Sequence, residues 1–432
     1  MASLDVTIVN IALPKISQSL GGTITGLQWI GAGYTLVFGS LLLSGGASCD
    51  KFGARRVFLM GVACFSLSSA ICALAPSLIV LNVARLIQGL GAALLVPAIL
   101  AEIRDWYPDA ASRGRAIALY AASGGLAQVI GPVLGGIFIV MFGWRVIFIV
   151  NVPIGMGIVL TMIRCQRHSY YQKKASFNLI SQALAIGLVS LLAIAFVDAG
   201  RYGWRSIEFF FPLFSSLFFF ALFLKREQRS RSPLLPSKEL KRRPVLFPLT
   251  MALLLGFAYF GQFFILALYL QECLHLSAFE AGVTFLPMTI GVTIANFLVG
   301  PKVAVIGPQR PLLAGHILCV FGYVTLFCSV AHMGLAIVLI SFAAIGFGGG
   351  LIAPAMTVAA IEAASIEYGG IISGTLNATR QIGTVLGISL FGSLLLQFGM
   401  QMGLRISLAL AFAAATGGAF LAIFWYKSLD NA

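Results

Sequence analysis

The reading of the chain turns on Leu81-Asn-Val-Ala-Arg85-Leu-Ile-Gln88-Gly89-Leu-Gly91-Ala92-Ala93. The stretch opens an apolar run that continues to Leu100, long enough to cross a bilayer as one helix. Arg85 sits inside it. An arginine at the membrane centre costs about 2.5–3.5 kcal/mol on insertion scales, so a helix that keeps one turns it toward a partner or a water-filled cavity. A structural ion pair and a snorkelling side chain are the plainer readings. Gly89, Gly91, Ala92 and Ala93 form a small face against which a neighbouring helix can pack closely. A cation on such a helix points to a pathway or a gate.

Composition agrees. Of 432 residues, 59% are hydrophobic and 10% charged, and the mean hydropathy is +0.98. That is a polytopic membrane protein, and the period-2 alternation of a membrane barrel is absent. The net charge of +14 would suggest nucleic acid in a soluble protein. Here the basic residues lie between apolar runs, where membrane orientation accounts for them and no nucleic-acid partner is expected. The seven cysteines are scattered, without CxxC or metal-ligand spacing. No metal, cofactor or cleavable signal peptide is expected.

Working outward from Leu81, apolar runs fall near 2–19, 27–48, 57–75, 78–100, 115–140, 144–163, 178–198, 208–224, 245–270, 281–299, 311–330, 333–354, 369–396 and 405–426. Fourteen spans place both termini on one side. Sorting the 28 Lys and Arg by alternating loops puts 21 on that side and 5 on the other, with Arg85 and Arg380 inside spans. This bias predicts cytoplasmic termini. All five tryptophans, at 29, 106, 144, 204 and 425, lie near span ends.

The longest loop, Lys225 to Pro244, is basic and follows the eighth span. Two segments also match at an offset of 254: Gly46-Ala-Ser-Cys-Asp50-Lys-Phe-Gly53-Ala-Arg55-Arg56 and Gly300-Pro-Lys-Val-Ala-Val-Ile-Gly307-Pro-Gln-Arg310. Each follows the second span of a group of six, as in a duplicated half. Helical repeats around a central site are the build of secondary transporters. The organisation expected is a six-helix bundle over 1–164, two linking helices and a basic loop over 165–244, and a second six-helix bundle over 245–432.

The Gly46–Arg56 segment resembles the signature loop of the major facilitator superfamily, Gly-x-Leu-Ala-Asp-Arg-x-Gly-Arg-Lys. Arg85, Gln88, Gly89, Gly91 and Ala93 are similar to its fourth-helix pattern. Gly131-Pro132-Val-Leu-Gly135-Gly136 is similar to the fifth-helix motif of its antiporters. Leu4-Asp5 to Asn10 and Pro14, Trp144 to Asn151 and Gly155, Tyr269 to Glu272, Ala281 to Pro287, and Thr379-Arg380-Gln381-Ile-Gly383 resemble the fourteen-helix drug:proton antiporter branch. The matches run from residue 4 to beyond 383. The chain departs from the pattern in three places. Ala54 stands where the loop has a basic residue, Ala127 where a glycine precedes Gly131, and about ten residues upstream of the first helix are missing.

The resemblance implies an all-α major facilitator fold and proton-driven export, by alternating access, of small amphipathic compounds from the cell. Asp5, the one acid well inside the first span, would carry the proton, and Arg85 would tune it. The alternative for Asp5 is a structural hydrogen-bonding role. Gly46, Asp50, Gly53, Arg55 and Arg56 would gate the cytoplasmic face, with Asp50 capping a helix or pairing with Arg55; a plain topogenic turn is the alternative. Gly131, Pro132, Gly135 and Gly136 would make a bent, thin fifth helix that acts as hinge or seal. Candidate cavity residues are Asn10, Tyr34, Gln88, Asn151, Asn377, Arg380 and Gln381, with Arg380 either anchoring substrate or bracing the two halves.

The expected partners are a small-molecule substrate, protons and lipid. The expected unit is a monomer, with accessory efflux proteins as the alternative to its acting alone. A metabolite importer or exporter of the same fold is the competing function. Ala122-Ser123-Gly124 is a poor intramembrane-protease motif, and the four histidines form no HExxH, so no enzyme is expected. With only four residues before Asp5, the first helix is expected to be short at its cytoplasmic end.

Overall fold

The computed structural model describes residues 1–164, 178–230, 237–240, 242–329, 334–365 and 368–429. The first linking segment and much of the basic loop, with Lys173, Lys174 and Arg231, lie outside the described residues.

The helices are α1 (Ala2–Leu20), α2 (Ile24–Phe52), α3 (Ala54–Leu74), α4 (Leu78–Trp106), α5 (Ala110–Phe142), α6 (Val146–Ile149), α7 (Asn151–Arg164), α8 (Leu179–Tyr202), α9 (Ile207–Arg229), α10 (Ser237–Leu240), α11 (Arg243–Leu255), α12 (Gly261–Glu272), α13 (Ala278–Thr284), α14 (Leu286–Val299), α15 (Val303–Ile306), α16 (Gln309–Ser329), α17 (Leu335–Ala363) and α18 (Gly369–Leu429). A π-helical turn, Gly256–Phe260, joins α11 to α12. Among the described residues twelve helical stretches are long and apolar enough to cross a membrane. The last of these bends at Gly399 (φ 76°, ψ 169°) and is two crossings. Helix α1 is not among these twelve.

Polar caps set many of the boundaries. Thr23, Ser77, Asp109 and Ser206 each accept a hydrogen bond from a backbone N–H in the first turn of their helix, and Ser277 with Glu280 forms a capping box. Glycines at positive φ end helices at 21, 53, 143 and 203.

The repeat is visible in three dimensions. Gly53 (φ 87°) turns α2 into α3, and Gly307 (φ 77°) turns α15 into α16. A Cβ on Gly46 would meet Pro97 Cβ at 4.0 Å, and one on Gly300 would meet Pro354 Cβ at 3.9 Å. So α2 packs on α4 as α14 packs on α17.

We call the end of the bundle where α2 starts and α5 ends the far end, and the opposite end the near end. The halves meet along two seams. On one, α2 lies along the first arm of α18, residues 369–398. On the other, α5 meets α13 and α14. None of residues 112–130 of α5 is buried, whereas Gly131, Pro132, Gly135, Gly136 and Ile139 are. Helix α5 is therefore buried toward the far end and more exposed toward the near end, where Thr293 of α14 still donates to Gly125 O at 3.4 Å. Met1 packs with the buried cluster of Tyr34, Phe65 and Ala92. Those residues lie part-way along their helices, so α1 begins at mid-depth.

Candidate functional site

Small residues bring the site together. A Cβ on Gly89 would stand 2.4 Å from Tyr34 O, and one on Gly91 would stand 2.7 Å from Phe65 N. Helix α4 is thus clamped between α2 and α3, and Arg85, one turn before Gly89, is 1% exposed. Arg85 Nη1 donates to Asp5 Oδ2 and, at 2.7 Å, to Gln88 Oε1. Arg85 Nε donates to Ile30 O at 3.0 Å, and the guanidinium lies 4.3 Å from the Tyr34 ring centroid. Gln88 sits on the same helix face, three residues on. Its Nε2 donates to Asp5 Oδ1 at 3.2 Å and to Ser69 Oγ at 3.1 Å. Asn151 Nδ2 donates to the same Ser69 Oγ at 3.1 Å, and that hydroxyl donates to Phe148 O at 3.0 Å. The result is one polar network across α1, α2, α3, α4, α6 and α7, in which each of these polar side chains is buried. Such a network is stable only if nearly every group is paired. Here the Tyr34 hydroxyl and Asn151 Oδ1 are left without partners.

The glycines of α5 position its neighbours. A Cβ on Gly131 would reach within 2.2 Å of Thr7 Oγ1, and one on Gly135 within 2.5 Å of Ile8 Cγ1. On another side, a Gly136 Cβ would stand 2.6 Å from Phe279 Cα, and a Gly282 Cβ 2.2 Å from Pro132 O. The far part of α5 therefore carries α1, and hence Asp5, while also touching the other half through α13. A displacement of one contact strains the other.

A second polar centre lies on the first arm of α18. Arg380 Nη2 donates to Asn377 Oδ1 at 2.8 Å, and Arg380 Nε is buried without a partner. Tyr120, on the more exposed part of α5, lies within Coulombic reach of Arg380. Gln381 packs against α2, where a Cβ on Gly39 would come within 2.5 Å of its Cβ. The structure thus groups Asp5, Arg85, Gln88, Tyr34 and Asn151 in one centre and Asn377 with Arg380 in another. Asn10 joins neither: its Nδ2 donates to Val6 O in its own helix at 2.8 Å.

The Gly46–Arg56 segment differs from the expected loop. Helix α2 continues through Gly46 and Asp50 to Phe52, so only Gly53 makes the turn. The apolar pattern of α2 extends past the glycines and carries the helix on. Asp50 is exposed and makes no ion pair with Arg55, whose Nη2 donates instead to Met162 O of α7. Arg56 is exposed.

Several linking residues escape a sequence reading. Ser69 is the hub of the first network. Gln28 Nε2 spans the α2–α18 seam, donating to Ser389 O at 2.7 Å and Ile388 O at 3.3 Å. Gln182 of α8 donates to Ser40 O and accepts from Ser44 Oγ, both on α2. Outside the membrane spans, Glu239 accepts from Ser365 Oγ at 2.8 Å, Ser365 N at 3.2 Å and Arg242 Nη1 at 3.0 Å. Its carboxyl is held below the usual glutamate value, first by the Ser365 hydroxyl, against the opposing effect of burial. The signal available in sequence for Ser69 and Gln28 was a polar residue inside an apolar run; their partners are backbone or distant in sequence, and no spacing reveals them.

Known proteins are similar to this chain in sequence and in fold. The profile of the Major Facilitator Superfamily matches residues 1–388. A methylenomycin A resistance protein of Bacillus subtilis is 33% identical over 399 residues, covering 91% of this chain and 85% of that protein. The multidrug resistance protein Stp of Mycobacterium tuberculosis is 33% identical, covering 91% and 73%. The drug efflux pump JefA of the same species is 31% identical, covering 91% and 78%. Among solved structures, a POT family transporter in complex with a thioalcohol-conjugated peptide aligns with a TM-score of 0.70 at 15% identity, covering 99% of this chain and 96% of that one. The human organic anion transporter MFSD10 aligns at 0.63 and 14% identity, covering 97% of each. With the whole architecture, the fourth-helix cation and most of the chain's length accounted for, this protein belongs to the Major Facilitator Superfamily.

Proposed function

We propose that the chain exports small amphipathic, drug-like compounds across the cell membrane by proton-coupled alternating access. The observation that carries this reading is the Asp5–Arg85 pair. It is sealed between helices of one half, and α1, which bears the acid, rests on the same stretch of α5 that, on another side, touches the other half. The names of the relatives, drug resistance and drug efflux proteins, support the same reading.

The mechanism runs as follows. The charge bias over the loops, 21 to 5, supports cytoplasmic termini. The near end is then cytoplasmic, and α5 is the more exposed at that end. Six-helix bundles over 1–164 and 245–432 rock about the cavity, with α8 and α9 between them. A proton on Asp5 removes its charge and frees Arg85 from its strongest partner. Arg85 then relies on Ile30 O, Gln88 and Tyr34, and α1 is released to shift against α5. Gly131, Pro132, Gly135 and Gly136 pass the shift to α13. Gly53 and Arg55 govern how closely α2, α3 and α7 approach at the cytoplasmic face. A proton crossing ~100 mV contributes ~2.3 kcal/mol, or roughly fifty-fold accumulation before any pH gradient is added.

Purified protein in inside-out liposomes tests this. A pH gradient, acid inside, drives amphipathic dyes into the lumen in the parent and not in Asp5→Asn. Dye movement that follows only its own gradient refutes the coupling, and uptake in the opposite direction identifies an importer.

A further inference from the structure

Among the described residues Arg380 has no acidic partner, and that shows what the cargo must bring. Arg85 is neutralised by Asp5. Arg380 is not. Among the described residues no carboxylate pairs with it, and its side-chain hydrogen bond, to Asn377, is made three residues back on its own helix. A brace between the halves would reach across the seam. Gln381 and Gln28 sit at that seam, and Arg380 does not reach across it. Its backbone is fixed: the turn holding it rests on the π-helical turn, where a Cβ on Gly256 would strike Arg380 O at 2.0 Å. The guanidinium is therefore held on a packed base, with Nε buried and unsatisfied, and Tyr120 of α5 lies within Coulombic reach. Keeping a partly buried, unpaired charge in a membrane protein is costly, and intramembrane charges mark substrate pathways.

We infer that Arg380 and Asn377, with Tyr120 of the other half within reach, form a subsite for an anionic group on the exported compound, a carboxylate in the first instance. The planar guanidinium suits a carboxylate's two oxygens, the Asn377 amide holds the fork in place, and the Tyr120 hydroxyl can donate to the same group from the opposite half. The cargo is then an amphipathic acid. This inference deepens the export reading and rests on it only for the word cargo; binding itself is independent of proton coupling.

The test is a binding titration of purified protein in neutral detergent, with dansylglycine and its uncharged amide as fluorescent probes. The parent binds the acid more tightly than the amide. Arg380→Gln weakens the acid by roughly ten- to hundredfold, the range for losing a charged hydrogen bond, and leaves the amide unchanged. Amide binding also shows that the variant is folded. Arg380→Lys restores part of the preference. An acid that binds no better than its amide in the parent, or an acid-to-amide ratio untouched in Arg380→Gln, overturns the subsite. So does equal loss of both probes in Arg380→Gln with no preference for the acid in Arg380→Lys. Displacement of dansylglycine by stoichiometric phosphatidylglycerol, with no competition by free carboxylic acids, reassigns the site to a lipid headgroup and overturns it as well. If acid binding depends on Arg380 but no pH gradient drives transport, the subsite stands and the export reading falls.

Discussion

Replacing Asp5 by Asn removes one charge from a pair in which both side chains are at most 1% exposed. The shape is almost unchanged, so the effect is electrostatic. Arg85 keeps Ile30 O at 3.0 Å, Gln88 Oε1 at 2.7 Å and the Tyr34 ring at 4.3 Å. It loses its only anion. Removing one partner of a buried pair costs about 3–5 kcal/mol, and the hydrogen bond that Asn Oδ1 can still accept recovers about 1 kcal/mol. The expected loss is about 2–4 kcal/mol. Arg85→Gln alone leaves the carboxylate buried and costs a similar amount. The double variant leaves no buried charge, so its loss falls below the sum of the two by about 2 kcal/mol or more. The assay is reversible denaturant titration in mixed micelles for the four proteins, at constant protein-to-detergent ratio. If Asp5→Asn lies within about 1 kcal/mol of the parent, or the two losses add, the pair is not what joins α1 to α4.

Other outcomes follow from single contacts. Gly136→Ala puts a methyl 2.6 Å from Phe279 Cα and Gly282→Ala one 2.2 Å from Pro132 O; each should cost about 1–3 kcal/mol and slow dye transport more than it lowers expression. Arg85→Lys, which keeps the charge but loses the fork that engages Asp5, Gln88 and Ile30 together, should retain less than about a tenth of transport in the same liposomes. Because the Glu239 carboxyl is held below its usual value, its tie to Ser365 is complete at neutral pH and is lost as pH falls through that lowered value. Glu239→Gln should therefore lower stability at pH 7 by about 1–2 kcal/mol, with the difference shrinking in acid; a pH series of melts checks it. Gln28→Leu removes a tie between α2 and α18, and should raise labelling of a cysteine placed at the far end of that seam.

Much of the fold was legible because a bilayer simplifies the code. Apolar runs, glycine breaks and loop charges all report the same crossings, and the 254-residue offset reappears as paired turns at Gly53 and Gly307. Asp5 and Arg85 were legible as charges out of place, which must find partners. What was hidden depends on geometry that spacing does not encode. The Ser69 hub joins residues about twenty and eighty positions away. Asp50 reads as part of a loop, although the helix extends through it. Asn10 reads as a cavity residue, yet its amide turns back on Val6. Arg380 left two readings open, because spacing does not reveal what its guanidinium meets beyond Asn377 on its own helix.

The two helices between the halves have a mechanical consequence. Near its start, α8 is fastened to α2 through Gln182, which meets Ser40 and Ser44. Near its end it is fastened to α18, where Ser393 donates to Phe196 O and a Cβ on Gly200 would stand 2.7 Å from Ser393 Cα. A strut pinned to one plate at its lower corner and to the other at its upper corner is a diagonal brace. It lets the plates roll about their common edge but resists their sliding lengthwise past each other. On the proposed alternating-access cycle, the motion left to α2 and α18 would be a roll without slip, with Gln28 returning to the same carbonyls and the two extra helices setting the register of the stroke.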